Sequence, residues 1–246
     1  TPGTSLVLLQ AQQKLNEFAT PMSPRYATVN PAANAGLVEG MKGLFNPTDT
    51  VSRQFKNGMM GTGVLGFDEI NMSQSIGMHT TGAWGTTITS TGTLSTQGQA
   101  TLPISFTGSS KTWKQGDVFT IAGVYAVNPQ TRQSTGSLQQ FVVTADLTAS
   151  STGTLSISPA IYTADHALAT VDSFPQATAV VTMLGSASTQ YAQNLSYHKD
   201  AITLATADLL LPQGVDMASR QTHNGISMRI VRQYDINNDR MPCRVD

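Results

Sequence analysis

The stretch GDVFTIAGVYAVNPQTRQSTGSLQQFVVT, Gly116 to Thr144, decides the fold. Val118 and Thr120 alternate with Phe119 and Ile121, and Val124, Tyr125 and Val127 extend the run. That alternation sends successive side chains to opposite faces of an extended chain. Asn128-Pro129 stops it, since proline fixes φ and supplies no amide donor. A polar loop rich in Gln, Thr and Ser follows, then Gly136 and a second run, Phe141-Val142-Val143. Two strand-like runs flanking a Pro- and Gly-punctuated polar loop predict an antiparallel hairpin. The segment carries no catalytic or ligand-binding signature, so its distinctiveness points to shape as its role.

Outward from the hairpin, the texture changes twice. Before it, residues 5–19 place Leu8, Ala11, Leu15 and Phe18 at helical spacing, with Ser5 as N-cap and Pro21 beyond the end. Tyr26 to Val29 reads as a strand and Asn30-Pro31 as a turn. Ala32 to Lys42 reads as a helix closed by Gly43, Asp49 to Lys56 as a short helix ended by Asn57-Gly58, and Gly66 to Met78 as a strand. From His79 to about Gly108 the chain is mostly Thr, Ser and Gly, and is expected to be disordered or a long exposed loop. A β-rich block follows to about Leu184, with further strands at Ser156 to Ile161 and Ala179 to Leu184. Beyond it, Leu195 to His198, Ala201 to Leu204, Ile226 to Tyr234 and Arg240 to Val245 are strand candidates, with a turn at Asn237-Asn238-Asp239. Mixed, then all-β, then mixed predicts an α+β host divided into residues 1–78 and 185–246, with a β-domain inserted as residues 79–184. Both ends of such an insertion must lie close together, which suits a barrel or a meander.

Bulk composition narrows the function. Only 12% of the 246 residues are charged, against about 25% in ordinary domains. The net charge of -1 supplies no basic field to hold a polyanion. Ser, Thr, Gln, Gly and Ala fill the surface instead, a solubility liability unless neighbouring subunits cover it. A secreted, Ser/Thr-rich β-domain accounts for the same composition equally well. Cys243 is the sole cysteine, so no intrachain disulfide forms, which fits a reducing compartment. No apolar run approaches membrane-spanning length, and Thr1-Pro2-Gly3 does not open a signal peptide. The chain is expected to be a fragment at both ends, since it begins without Met and Met241 to Asp246 reads as a strand that stops without a turn.

Motifs that suggest chemistry fail on context. Gly61-Thr62-Gly63-Val64-Leu65-Gly66 matches G-x-G-x-x-G, but a dinucleotide site needs a strand before it and a helix after it. Here a helix end precedes and a strand follows, which reads as a glycine hinge. His79, His166, His198 and His223 are scattered, with no close metal-ligand pair. His198-Lys199-Asp200 reads as the polar end of a strand, and Asp146, Asp165 and Asp172 as solvated loop carboxylates. The sequons at Asn71 and Asn194 carry no weight without a secretory signal. No catalytic, cofactor-binding or metal-ligating residue is therefore assigned, no cofactor is expected, and the chain is not read as an enzyme. Arg229, Arg232 and Arg240 are expected to pair carboxylates across a subunit seam, because a guanidinium fork fits a carboxylate bidentately.

The hairpin segment extended to Asp146, the later ISPAIY, and SMRIVRQYDINNDRMPCRVD resemble the coat proteins of short-tailed double-stranded-DNA bacteriophages and their prophages. NPAANAGLVEGMKGLFNP, Asn30 to Pro47, and GMMGTGVLGFD, Gly58 to Asp68, are similar to the same family. The resemblance implies the tailed-phage capsid fold, with peripheral and axial subdomains and an inserted antiparallel β-barrel that aids folding and assembly. It implies a long loop reaching a neighbouring capsomer, expected here around Thr86 to Gln99, and an N-terminal arm and C-terminal strand that this sequence lacks. It implies a virion protein, assembled in the bacterial host cytoplasm into an icosahedral shell of hexamers and pentamers. Scaffolding and portal proteins would be its partners, packaged DNA would be met by weak nonspecific contacts, and no membrane would be involved. A shell subunit needs self-complementary surfaces rather than an active site. The competing reading is a carbohydrate- or receptor-binding module, with Trp84, Trp113 and Tyr125 as a candidate aromatic platform.

Overall fold

The computed structural model describes residues 4–41 and 61–246, which divide at Lys199/Asp200 into two units. The first begins with helix α1 (Ser5–Glu17), strand β1 (Arg25–Val29) and helix α2 (Pro31–Met41). Strands β2 (Gly61–Val64) and β3 (Phe67–Met72) form a hairpin whose two-residue turn, Leu65-Gly66, has φ of 53° and 80°. Two successive left-handed residues match the twist of an antiparallel pair. Next come β4 (Met78–Thr80), β5 (Thr86–Ser90), β6 (Gln99–Thr107), β7 (Lys111–Trp113), β8 (Val118–Val127) and β9 (Ser134–Val143). The unit ends with β10 (Leu147–Ala149), β11 (Thr152–Ile161), β12 (Val180–Met183), β13 (Gln190–Ala192) and β14 (Leu195–His198).

Six of these strands close a barrel in the order β11-β6-β5-β12-β8-β9, every pair antiparallel. Closure leaves no sheet edge open for foreign pairing. The alternation read from sequence sets which side chains fill it. Phe119 and Ile121 point inward on β8, as do Phe141 and Val143 on β9, all fully buried. Phe119 stands opposite Phe141 in the register, with ring centroids 5.7 Å apart. At Gly123, with φ of 78°, the register shifts and the inward parity changes to Val124 and Ala126. Such a bulge re-aims every later side chain by inserting one unpaired residue. Leu102, Ile104 and Phe106 of β6, Leu155 and Ile157 of β11, and Trp113 complete the core.

The host sheet runs β14-β1-β3-β2, with β1 parallel to β3 and the other pairs antiparallel. It packs on both helices through Leu8, Ala27, Val29, Ala33, Leu37, Phe67 and Ile70. The second unit contains β15 (Met217–His223), β16 (Ile226–Arg232) and β17 (Cys243–Val245) in one antiparallel sheet.

Several expectations are corrected. The Thr/Ser-rich stretch after His79 is neither disordered nor a long loop, because β5 and β6 lie in it and bury Ile88, Leu102, Ile104 and Phe106. The loop expected at Thr86 to Gln99 to reach a neighbour begins as barrel strand β5, and the turn that follows, 91–98, is largely exposed but anchored by the buried Leu94. Gly61 to Gly66 is a hairpin strand and its turn, not a hinge. The strand expected from Gly66 to Met78 ends at Met72, with the Ser73 amide on the Val29 carbonyl as its last rung, and β4 begins only at Met78. Ala201 to Leu204 is not a strand: a 3-10 turn spans Lys199–Ala201 and irregular chain follows. Thr4, not Ser5, is the N-cap of α1. The helix expected at 49–56, its Asn57-Gly58 end and the Gly43 stop lie outside the described residues.

Replacing Phe119 by Ala should cost about 3–5 kcal/mol, because the facing ring of Phe141 cannot collapse into the space. Chemical denaturation followed by tryptophan fluorescence measures it; a loss under about 1 kcal/mol would show that the barrel core repacks freely.

Candidate assembly surfaces

The barrel leaves and rejoins its host through one neck. Its outgoing and returning chains pair as β4 and β13, from Thr80 opposite Gln190 to Met78 opposite Ala192. One step nearer the barrel, the Thr81 amide donates to the Thr189 carbonyl at 3.1 Å, and the Thr81 hydroxyl donates to the Ser186 carbonyl at 2.7 Å. Asp117, fully buried at the start of β8, ties this neck to the barrel wall. Its carboxylate accepts the Lys114 amide at 2.8 Å and the Gly82 amide at 3.1 Å, while His79 Nε2 stands 2.9 Å from its other oxygen. A buried carboxylate persists only when its lone pairs are met this way. Gly82 can approach so closely because it has no side chain; a Cβ there would stand 2.3 Å from the Thr112 carbonyl oxygen. Beside the neck lies a cleft of about 390 Å³, lined by His79, Thr81, Val118, Leu184, Tyr191 and Gln193.

A second attachment lies at the end of α1. Arg25 is fully buried, and its guanidinium donates to the carbonyls of Thr20 at 2.6 Å and Pro21 at 2.7 Å and to Asn16 Oδ1 at 2.7 Å. These acceptors are neutral and gather where the helix leaves carbonyls without amide partners. The Arg25 amide also donates to Asp68, whose carboxyl is held below the usual carboxylate range chiefly by that bond, against an opposing desolvation, with the Ser23 hydroxyl adding to it. One turn earlier, Glu17 meets the barrel. Ser137 Oγ donates to its carboxylate at 3.0 Å, and Asn128 Nδ2 donates to its backbone carbonyl at 3.0 Å.

The 200–246 unit has a different character. None of its residues is buried. Its first hairpin turns at Asn224-Gly225, both left-handed, and β16 pairs residue for residue with β15. Ile226, Met228 and Ile230 share one face of β16 and are 47%, 54% and 39% exposed, with Met217 and Val245 exposed on the same side. The other face carries Arg229, whose guanidinium donates twice to Asp246 at 3.0 and 2.5 Å. That interaction first, and Arg244 second, holds the Asp246 carboxyl below its usual range.

The residues singled out from sequence are mostly dispersed. His79 joins the neck, and His166 stacks on Tyr162 with ring centroids 4.5 Å apart. His198 lies in β14 opposite Arg25, and His223 ends β15. Asp146 pairs with Lys114 at 2.7 Å, Asp172 accepts the Tyr125 amide at 2.9 Å, and Asp165 lies on the connection between β11 and β12. Of the arginines expected at a seam, Arg229 and Arg232 pair with Asp246 and Asp216 of their own unit, and Arg240 bridges to Asp235 through its backbone. The aromatic platform does not form: Trp113 is fully buried and Trp84 packs on the barrel core, leaving Tyr125 alone half-exposed. Among the described residues, no three His, Cys, Asp or Glu side chains converge and no helix is long and apolar enough to cross a membrane. Asp117 was not singled out from sequence: Gly116-Asp117 marks a turn before a strand, but nothing in it signals a buried carboxylate that gathers distant amides.

Asp117→Ala would strand the buried Gly82 amide and the Lys114 amide, at about 1–3 kcal/mol each. The expected fall in unfolding free energy is on the order of 2–4 kcal/mol, measured by urea titration of the whole chain; an unchanged midpoint would show that the neck does not depend on that carboxylate.

Comparison with known proteins places the chain. No curated protein sequence matches it. Among solved structures it is similar to a CUS-3 coat protein I-domain, at 30% identity, over 39% of this chain and 94% of that one; the TM-score is 0.30, too low to carry an argument. The family model described as "P22 coat protein - gene protein 5" matches residues 7–246. A match over nearly the whole length shows that it belongs to the P22 coat protein family and is a structural capsid protein of a tailed phage.

Proposed function

We propose that this chain tiles with copies of itself, as hexamers and pentamers, into the shell around double-stranded DNA. The observation that carries this reading is the 200–246 unit, a three-stranded sheet with no buried residue and an apolar stripe on β16. A sheet that small needs a covered face to be stable, and exposed apolar patches of this kind mark interaction sites. Membership of a coat protein family makes further copies of the chain the fitting cover.

In this proposal residues 79–184 form the inserted barrel, and 1–78 and 185–246 are the two parts of the host, the second divided at Lys199. The Thr81–Ser186 bond supports the closeness of ends that an insertion requires. With Thr86 to Ser90 in the barrel wall and Leu94 held in its core, the turn 163–169, closed by the Thr170 amide on the Tyr162 carbonyl, is the better candidate for an outward reach, with Leu168 exposed. Scaffolding and portal proteins remain proposed partners, met during assembly in the host cytoplasm. DNA contact is proposed to be weak, since a net charge of -1 offers few phosphate partners. The proposed role needs no catalytic, cofactor or metal residue.

Ile230→Asp puts a charge on the apolar face without touching the barrel. Sedimentation velocity and electron microscopy of the whole gene product should show shells or sheets for the native protein. The variant should give only subunits, at least tenfold reduced in assembled mass, with the barrel's unfolding midpoint unchanged. A native protein that stays monomeric at high concentration, with or without a scaffolding partner, would contradict the proposal.

A further inference from the structure

The barrel touches helix α1 far from its neck, and that contact is small. Among the described residues two hydrogen bonds bridge α1 to the β8–β9 hairpin tip, Ser137 Oγ to the Glu17 carboxylate and Asn128 Nδ2 to the Glu17 carbonyl. Both converge on one residue at the C-terminal end of the helix. The neck is a two-chain crossing knotted by Asp117, so by itself it fixes a point and leaves rotation about it open. Two attachments are needed to fix the direction in which the barrel projects.

We propose that Glu17 is a latch that sets the barrel's orientation: with it closed the barrel is held against α1, and with it open the barrel pivots as one body about the neck. The chemistry suits a reversible catch. Neutral Asn128 and Ser137 face Glu17 from the hairpin, and Lys14 of its own helix supplies the charge, 3.0 Å from its carboxylate. Desolvation pushes the Glu17 carboxyl upward, but the bonds from Lys14, Gln13 and Ser137 outweigh it, and the net position is below the ordinary value of 4.5. Lys14 and Gln13 belong to α1 itself and stay with Glu17 whether or not the barrel is docked, so among these bonds to the carboxylate only that from Ser137 belongs to the latch. Removing the carboxylate breaks that half of the catch, while the Asn128 bond is made to the backbone carbonyl. A subunit whose barrel direction is adjustable has the freedom that non-identical positions in a closed shell demand.

The test uses spin-label pairs in the whole chain with Cys243 replaced by Ser, since Cys243 is the sole cysteine and is exposed. One pair, at Gln10 and Thr131, spans α1 and the hairpin tip; a control pair, at Thr101 and Gln140, lies within the barrel. Pulsed dipolar spectroscopy should give a narrow distance distribution for the spanning pair at pH 7. That distribution should broaden at least twofold in Glu17→Ala and in the same direction in Ser137→Ala, since each removes the bond between the Ser137 hydroxyl and the Glu17 carboxylate. The control pair should stay narrow throughout. A spanning distribution as narrow in Glu17→Ala as in the native sequence would overturn the latch, and so would equal broadening of the control pair, because the barrel would then be loosening rather than pivoting. Neither readout depends on shell formation, so the outcome is separate from that of the proposed function.

Discussion

A barrel spliced into a host must leave and return at one place, and the buried Asp117 carboxylate is what holds that place together. It accepts amides from Gly82 on the outgoing chain and from Lys114 in the turn before β8, and it lies against His79 of β4. Much else follows from it. With the neck fixed, β8 starts in a set position, Phe119 faces Phe141, and the remaining inward residues fall into step around the closed sheet. The backbone of Asp117 serves the same end, its carbonyl accepting the Val143 amide and so joining the two hairpin strands at their open end.

Against that well-filled body stands a unit with no interior. The barrel buries Trp113, Phe119, Phe141 and a ring of Leu, Ile and Val, whereas residues 200–246 bury nothing. The contrast explains the low charge of the chain better than either part alone. A protein that spends its life covered by neighbours has little use for the charged surface that keeps a free monomer apart from its copies. The arginines follow the same logic: Arg229 and Arg232 are met by carboxylates of their own unit, which leaves the apolar face of β16 without charge at its centre.

What was legible in the sequence was what repeats locally. The β8–β9 hairpin could be read because aromatic and β-branched residues alternate with polar ones on both sides of Asn128-Pro129, and α1 because Leu8, Ala11 and Leu15 recur at helical spacing. The next-door strands were missed for an instructive reason. Leu102, Ile104 and Phe106 alternate as clearly as Phe119 and Ile121, but Pro103 interrupts the run and the surrounding Thr, Ser and Gly suggest a loop. Within a closed barrel those small hydroxylated residues simply occupy the outward positions. Asn224-Gly225, a turn signal that was passed over, makes the β15–β16 hairpin, and β15 itself, Met-Ala-Ser-Arg-Gln-Thr-His, shows no alternation because neither of its faces is buried. The literal G-x-G-x-x-G matched a pattern whose meaning lies in its neighbours, and those neighbours are strands of one hairpin. The Asp117 knot and the Glu17 contact were out of reach, since each joins residues far apart in sequence, Asp117 to Gly82 and Glu17 to Ser137.

The central claim is that the barrel is complete in the free subunit while the 217–245 sheet is completed by assembly. Amide hydrogen exchange on the whole gene product, free and in shells, measures it directly. The account predicts slow exchange for β6, β8, β9 and β11 in both states, and exchange over Met217–Arg232 that is fast in the free subunit and slowed at least tenfold in the shell. A sheet already as protected as the barrel before assembly, or one that gains nothing in the shell, would contradict it.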